Sequence, residues 1–163
     1  MDPADLADLD GWVRAGGSVI ILTDPDLLWP SVLPLADPRR PLVSGLLSPL
    51  LGHWGLELVA DADNSVTVVT LRLGKYAFAT RGIGALEPIS PDSVPGARCE
   101  MAEGGILARC AIGKGRATIV ADADFLDAGL WPEDARRFPQ KSGAVRFLDS
   151  LVQEQIQPGK GDR

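Results

Sequence analysis

Ser18-Val-Ile-Ile-Leu-Thr23-Asp24 is the stretch whose reading decides the fold. Its apolar residues stand between the glycine pair Gly16-Gly17 and the turn former Asp24-Pro25. An apolar run without polar alternation reads as a strand covered on both faces, hence parallel and central. Toward the N-terminus, Asp2 can cap a helix and Pro3 suits its first position. Leu6, Leu9 and Val13 then recur at i, i+3 and i+7. Gly16-Gly17 closes that helix, because glycine accepts the left-handed closing residue. A helix feeding a central strand normally follows another strand, so an N-terminal strand is expected upstream of Asp2.

Toward the C-terminus, Asp24 to Arg40 is a loop with Pro25, Pro30, Pro34 and Pro38. Its length suggests a functional, lid-like segment; the alternative is a surface connection held by Leu27, Leu28, Trp29 and Leu33. Leu46, Leu47, Leu50, Leu51 and Trp54 form a helical stripe that Ser48-Pro49 starts or kinks. From Glu57 the period changes to two. Residues 66–73 and 76–80 flank Gly74-Lys75 as a hairpin, which pairs Leu71 with Phe78. Residues 82–96, with Pro88, Pro91 and Pro95, read as irregular. A second hairpin joins 97–103 to 106–112 through Gly104-Gly105, pairing Glu100 with Arg109 as a cross-strand ion pair and Cys99 with Cys110. Gly113-Lys-Gly115 turns the chain into a last strand, 116–121, that ends in Asp122-Ala-Asp124. Residues 125–140 read as a loop with one helical turn. Ser142 caps a final helix whose stripe is Val145, Leu148, Val152 and Ile156. The expectation is one domain over residues 1–156 and a disordered tail over 157–163. Its class is a three-layer α/β fold with a mixed sheet and added β-hairpins.

Composition narrows the function classes. A chain of 163 residues suits one core, and 45% apolar with 23% charged residues describes a globular protein. A net charge of −6 argues against nucleic acid or an anionic membrane as the main partner. One histidine, His53, excludes multi-His metal sites, and two cysteines exclude a disulfide scaffold or a Cys-rich zinc site. No stretch approaches the ~20 apolar residues of a membrane helix. Met-Asp-Pro-Ala-Asp has neither the basic start nor the apolar core of a signal peptide.

The chemistry-bearing residues gather at predicted strand ends. Asp24 ends the first strand, and Asp122 and Asp124 end the last. Ligands of open α/β sheets bind outside the carboxyl ends of strands, so parallel neighbours would bring three carboxylates together there. Such a group suits a cation, sugar hydroxyls or basic groups of a partner. The alternative is that each aspartate caps its own turn. Trp29 and Trp131 follow these strand ends, to stack on a ligand or to cover the core from outside. Cys99 and Cys110 read as buried reduced thiols, with a disulfide or redox role as the alternative. His53 reads as a helix-end residue that caps or packs. Asp61-Ala-Asp63-Asn64 is too short for a calcium loop, and Gly113-Lys-Gly115 is a turn rather than a phosphate loop.

Three segments carry a family resemblance. Trp12-Val-Arg-Ala-Gly-Gly-Ser-Val-Ile-Ile-Leu-Thr-Asp24 resembles the helix, Gly-Gly, strand, Asp segment of glutamine amidotransferase-like domains. The likeness is closest to those of uncharacterised ABC-transport accessory proteins of the gliding-motility type. Gly45-Leu-Leu-Ser-Pro-Leu-Leu-Gly-His-Trp-Gly55 is similar to their Leu-Leu-x-x-Trp-Gly helix, and Gly113 to Phe125 to their Gly-x-Gly-Arg, strand, Asp-x-Asp-Phe segment. The resemblance implies a flavodoxin-like domain. This chain lacks the Cys elbow, and Asp122-Ala-Asp124 stands where a His-x-Glu pair would come. It therefore implies a non-catalytic, bacterial ligand- or partner-binding module of a transport system, not an enzyme, at the extracytoplasmic face of the inner membrane or else in the cytoplasm.

The leading expectation is thus a binding module with Asp24, Trp29, Asp122, Asp124 and Trp131 as ligand-binding candidates. Its partner is a transport protein or a small ligand, with no cofactor, no nucleic acid, and self-association to a homo-oligomer. The alternative is a cation-assisted hydrolase of a sugar or ester that uses the strand-end aspartates.

Overall fold

A computed structural model describes residues 3–34, 37–40, 47–60, 66–89 and 96–156. Asp61-Ala-Asp63-Asn64, Leu46 and the tail 157–163 lie outside the described residues. The chain is α/β. Helix α1 (Pro3–Arg14) leads into strand β1 (Ser18–Leu22), and α2 (Ser48–His53) into β2 (Leu56–Ala60). Strands β3 (Val69–Leu73), β4 (Tyr76–Thr80), β5 (Gly84–Pro88), β6 (Ala97–Ala102), β7 (Leu107–Ile112) and β8 (Gly115–Val120) follow. Short α3 (Glu133–Arg137) and the closing α4 (Gly143–Ile156) complete the order.

The main sheet is mixed, in the order β1-β8-β7-β6, with β1 parallel to β8 and the other pairs antiparallel. Two antiparallel pairs, β2-β5 and β3-β4, stand beside it. Both expected hairpins form in the expected register, with Leu71 opposite Phe78 and Cys99 opposite Cys110. Strand β5 lies in the segment read as irregular; it is short and ends on Pro88, so its alternation is brief.

β1 is an edge strand, which corrects its expected central place: among the described residues only β8 pairs with it. Its apolar run reports cover on two faces, not neighbours on two edges. Ile21 and Val19 pack with Val13 of α1, Leu50 and Leu51 of α2, and Trp54 just after it. Ile20 and Leu22 pack with Phe147 and Leu151 of α4 and with Phe125. Along β8 the same split holds, with Ala117 and Ile119 in the first cluster and Val120 in the second.

α4 buries Ala144, Phe147 and Leu151, while Val152 and Ile156 are exposed. The expected stripe is therefore rotated. Phe147 meets Phe78, Phe125 and Tyr76 at ring-centroid distances of 5.5, 5.9 and 5.9 Å, so the aromatic face wins the core. Gly115 needs its missing side chain: a Cβ there would stand 2.0 Å from the Val13 carbonyl oxygen. The Gly113-Lys-Gly115 turn thus lets β8 start against the end of α1.

Candidate functional site

The parallel pairing of β1 and β8 sets Leu22 opposite Val120, so Asp24 and Asp122 leave the sheet at the same end. Thr23 N–H donates to the Val120 carbonyl at 2.9 Å and holds the two exits together. Asp24 accepts from Asp26 N–H and, across the gap, from Ala123 N–H, each at 3.0 Å. Asp122 Oδ1 accepts from Thr80 Oγ1 and Asp124 N–H, each at 2.9 Å. Asp124 Oδ2 accepts from Leu28 N–H at 3.0 Å. The expected convergence of the three carboxylates is present. The turn-capping role is present too, for Asp24 and Asp122 each bind the N–H two residues on.

This cluster is buried and incompletely paired. Asp24 is 3% exposed, and Asp122 and Asp124 are 0% exposed. Buried Asp122 Oδ2 and Asp124 Oδ1 have no hydrogen-bond partner among the described residues, nor do Thr23 Oγ1, Trp29 Nε1 and Arg81 Nε. Orphaned buried polar atoms are uncommon and ask for a reason. Burial drives the Asp122 carboxyl up to about 7; the Thr80 hydroxyl opposes this and the Asp24 charge adds to it. Burial likewise lifts Asp124 to about 6, against the Leu28 N–H and Arg81 and with help from Asp24. Burial also raises Asp24, against three backbone N–H bonds.

Arg81 ties the proline loop down over these groups. Its Nη2 donates to the Leu28 carbonyl and to Asp127 Oδ2, both at 2.8 Å, and its Nε lies 3.9 Å from Asp124 Oδ2. Residues 24–28 are therefore pinned from two sides, by Asp124 and by Arg81. Sequence reading missed Thr80 and Arg81. They end a hairpin strand some 42 residues before Asp122, and no local spacing joins them to it.

Among the described residues, no group of three or more His, Cys, Asp or Glu is arranged to hold a metal ion.

The two tryptophans part company. Trp29 stays beside Leu28 on the strap. Trp131 donates from Nε1 to the Phe125 carbonyl at 2.9 Å and lines a separate groove of about 500 Å³ on β4 and the start of α4. Cys99 and Cys110 form a disulfide, which corrects the expected reduced thiols. Their facing positions on β6 and β7 bring the Cα atoms to 4.0 Å, so pairing outcompetes simple packing. Arg109 pairs with Glu154 of α4 at 2.7 Å, where Glu100 was expected. His53 keeps its helix-end role, with Nε2 at 3.4 Å from Asp10 Oδ2, while Asp10 Oδ1 accepts from Trp54 Nε1 at 2.7 Å.

No family model matches the chain, and no curated protein matches it in sequence. Among solved structures it resembles exo-β-1,4-mannosidase Op5Man5 from Opitutaceae bacterium strain TAV5. That match has a TM-score of 0.50 and 18% identity, over 91% of this chain and 23% of that one. Gan42B, a GH42 β-galactosidase, gives a TM-score of 0.45 and 15% identity over 91% and 20% of the two chains, below the level that marks a shared fold. This chain thus spans less than a quarter of either protein. The amidotransferase-like resemblance is corrected, since a solved chain that shares the fold is an exo-β-1,4-mannosidase. The ABC-transport association fell with it. So did the expectation that the chain is not an enzyme, which leaned on a missing Cys elbow that carboxylate chemistry does not need. The short motifs misled because helix, Gly-Gly, strand, Asp arises wherever a helix turns tightly into a sheet.

Proposed function

We propose that this chain is a module of a carbohydrate-active hydrolase whose acid–base groups are Asp122, Asp124 and Asp24. The observation that carries the reading is the pair of orphaned, buried oxygens, Asp122 Oδ2 and Asp124 Oδ1, on carboxyls lifted to about 7 and about 6. Glycoside hydrolysis is run by carboxyl groups, one of them raised in pKa so that it keeps a proton to give. Asp122 supplies its proton to the leaving oxygen of the glycosidic bond. A water adds to the anomeric carbon, and its proton passes to ionised Asp24. Residues 26–28 must lift for substrate to enter, which releases the Leu28 N–H from Asp124 while Asp24 stays tied to Ala123. The fold shared with a mannosidase supports a sugar over an ester.

The test is hydrolysis of a panel of aryl β-mannosides, β-galactosides and β-glucosides. Cleavage that falls at least 100-fold in Asp122→Asn supports the proposal. Cleavage that survives in Asp122→Asn and Asp124→Asn, or none with any glycoside, refutes it.

Two coarser features fit the same reading. No helix among the described residues is long and apolar enough to cross a membrane. The Cys99–Cys110 disulfide favours an oxidising, extracytoplasmic compartment. The β1 edge away from β8, unpaired among the described residues, favours self-association by strand pairing, and sedimentation across a concentration series tests that.

A further inference from the structure

The groove beside Trp131 has a charge opposite to that of the protein. Its walls come from β3 and β4 (Thr70, Lys75 to Ala79), from Leu130 to Pro132, and from Lys141 to Gly143 with Arg146 at the start of α4. Three cations line it and no carboxylate does, on a chain of net charge −6. Lys141 is partly neutralised by Asp134 at 3.7 Å. Lys75 lies 5.4 Å above the Tyr76 ring, and neither Lys75 nor Arg146 makes an ion pair among the described residues. A hydrogen bond with Ser150, then Lys75 and Arg146, hold the Tyr76 hydroxyl below its usual range. The first turn of α4 adds its positive end to that wall. Trp131 is half-buried and held by its bond to Phe125, and so presents a fixed ring face. None of Thr80, Asp24, Asp122 and Asp124 lines the groove, so it is a separate place from the aspartate cluster.

We infer that this groove binds an acidic saccharide, with Trp131 and Tyr76 against the sugar rings and Arg146 with Lys75 on the carboxylate of a uronic acid. An aromatic platform takes the apolar face of a pyranose, and a guanidinium takes a carboxylate through two parallel N–H bonds. A volume of about 500 Å³ matches a short oligosaccharide. Binding here is independent of bond cleavage at Asp122 and is measured without it.

Calorimetric titration of the intact protein with oligogalacturonate, mannohexaose and a sulfated glycan tests the inference. The expected result is saturable binding of oligogalacturonate, at least tenfold weaker in Lys75→Ala/Arg146→Ala and unchanged in Asp122→Asn. Trp131→Phe keeps the ring and should weaken binding less than Trp131→Ala, with folding checked by circular dichroism. No oligogalacturonate binding, equal affinity for mannohexaose, or equal affinity for the sulfated glycan overturns it. So does unchanged affinity in the double variant.

Discussion

Asp122, with no exposed surface, accepts a 2.9 Å hydrogen bond from Thr80 on a separate two-stranded sheet. The bond joins the end of β8 to the end of β4, elements that share no strand pairing. It orients one carboxyl oxygen and leaves the other facing the interior without a partner.

A carboxyl in that position makes stability depend on pH. Asp122 binds its proton more tightly in the folded state, at about 7, than at its ordinary 3.8. Its contribution is therefore fully present below about pH 3.8 and is lost as pH rises through about 7. The melting temperature should fall by several degrees between pH 5 and pH 8, since a tenfold difference in proton affinity is worth about 1.4 kcal/mol. Asp122→Asn keeps an oxygen for Thr80 and Asp124 N–H but carries no charge, so its curve should be flatter and higher at pH 8. Parallel curves for the two proteins, by calorimetry across that range, would contradict this.

Arg81 should be the latch of the strap. Arg81→Ala removes the donor to Leu28 and Asp127 and leaves Asp127 and Asp124 without their cation. A loss of about 3 kcal/mol is expected from a partly buried pair broken on one side. The informative readout is limited proteolysis: cleavage within residues 25–34 should speed up far more than cleavage elsewhere. Uniform acceleration along the chain would mean general destabilisation and no latch.

Phe125 is the aromatic hub of the second core. It is fully buried, 5.0 Å from the Phe78 ring and 5.9 Å from that of Phe147. Phe125→Ala should cost about 3–5 kcal/mol in urea unfolding. Because Phe125 follows Asp124 and its carbonyl holds Trp131, both candidate sites should loosen with it. A cost under about 1 kcal/mol would show that the cluster repacks.

The disulfide closes a loop between residues 11 apart, for which chain-entropy reasoning gives about 3 kcal/mol. Denatured, unreduced protein should show no free thiol with a colorimetric reagent. Cys99→Ser/Cys110→Ser should melt lower, and adding reductant should not lower it further. Two titratable thiols in the unreduced protein would refute the pairing.

Much of the fold was legible in local pattern. The helix before Gly16-Gly17, the apolar strand after it and both hairpin registers follow from spacing and turn chemistry, which act between near neighbours. The coming together of Asp24, Asp122 and Asp124 was legible as well, but conditionally: it required β1 and β8 to be parallel neighbours, a long-range pairing. The face of α4 was misjudged because four apolar positions at good spacing competed with Phe147 and Leu151, and only the ring cluster of Phe78 and Phe125 chose between them. The disulfide was open in the sequence, since facing positions permit either thiols or a bond.

By itself the sequence determined the α/β class, the strand ends that carry carboxylates and the absence of a histidine- or cysteine-based metal set. Tertiary structure decided the rest. It placed β1 at an edge, because cover by α2 and α4 looks the same in sequence as cover by strands. It set Thr80 and Arg81 against the aspartates and drew Trp131 away to a basic groove. Those relations join residues tens of positions apart, where neither periodicity nor turn preference reaches, and burial then shifted the proton affinities that composition alone would have left ordinary.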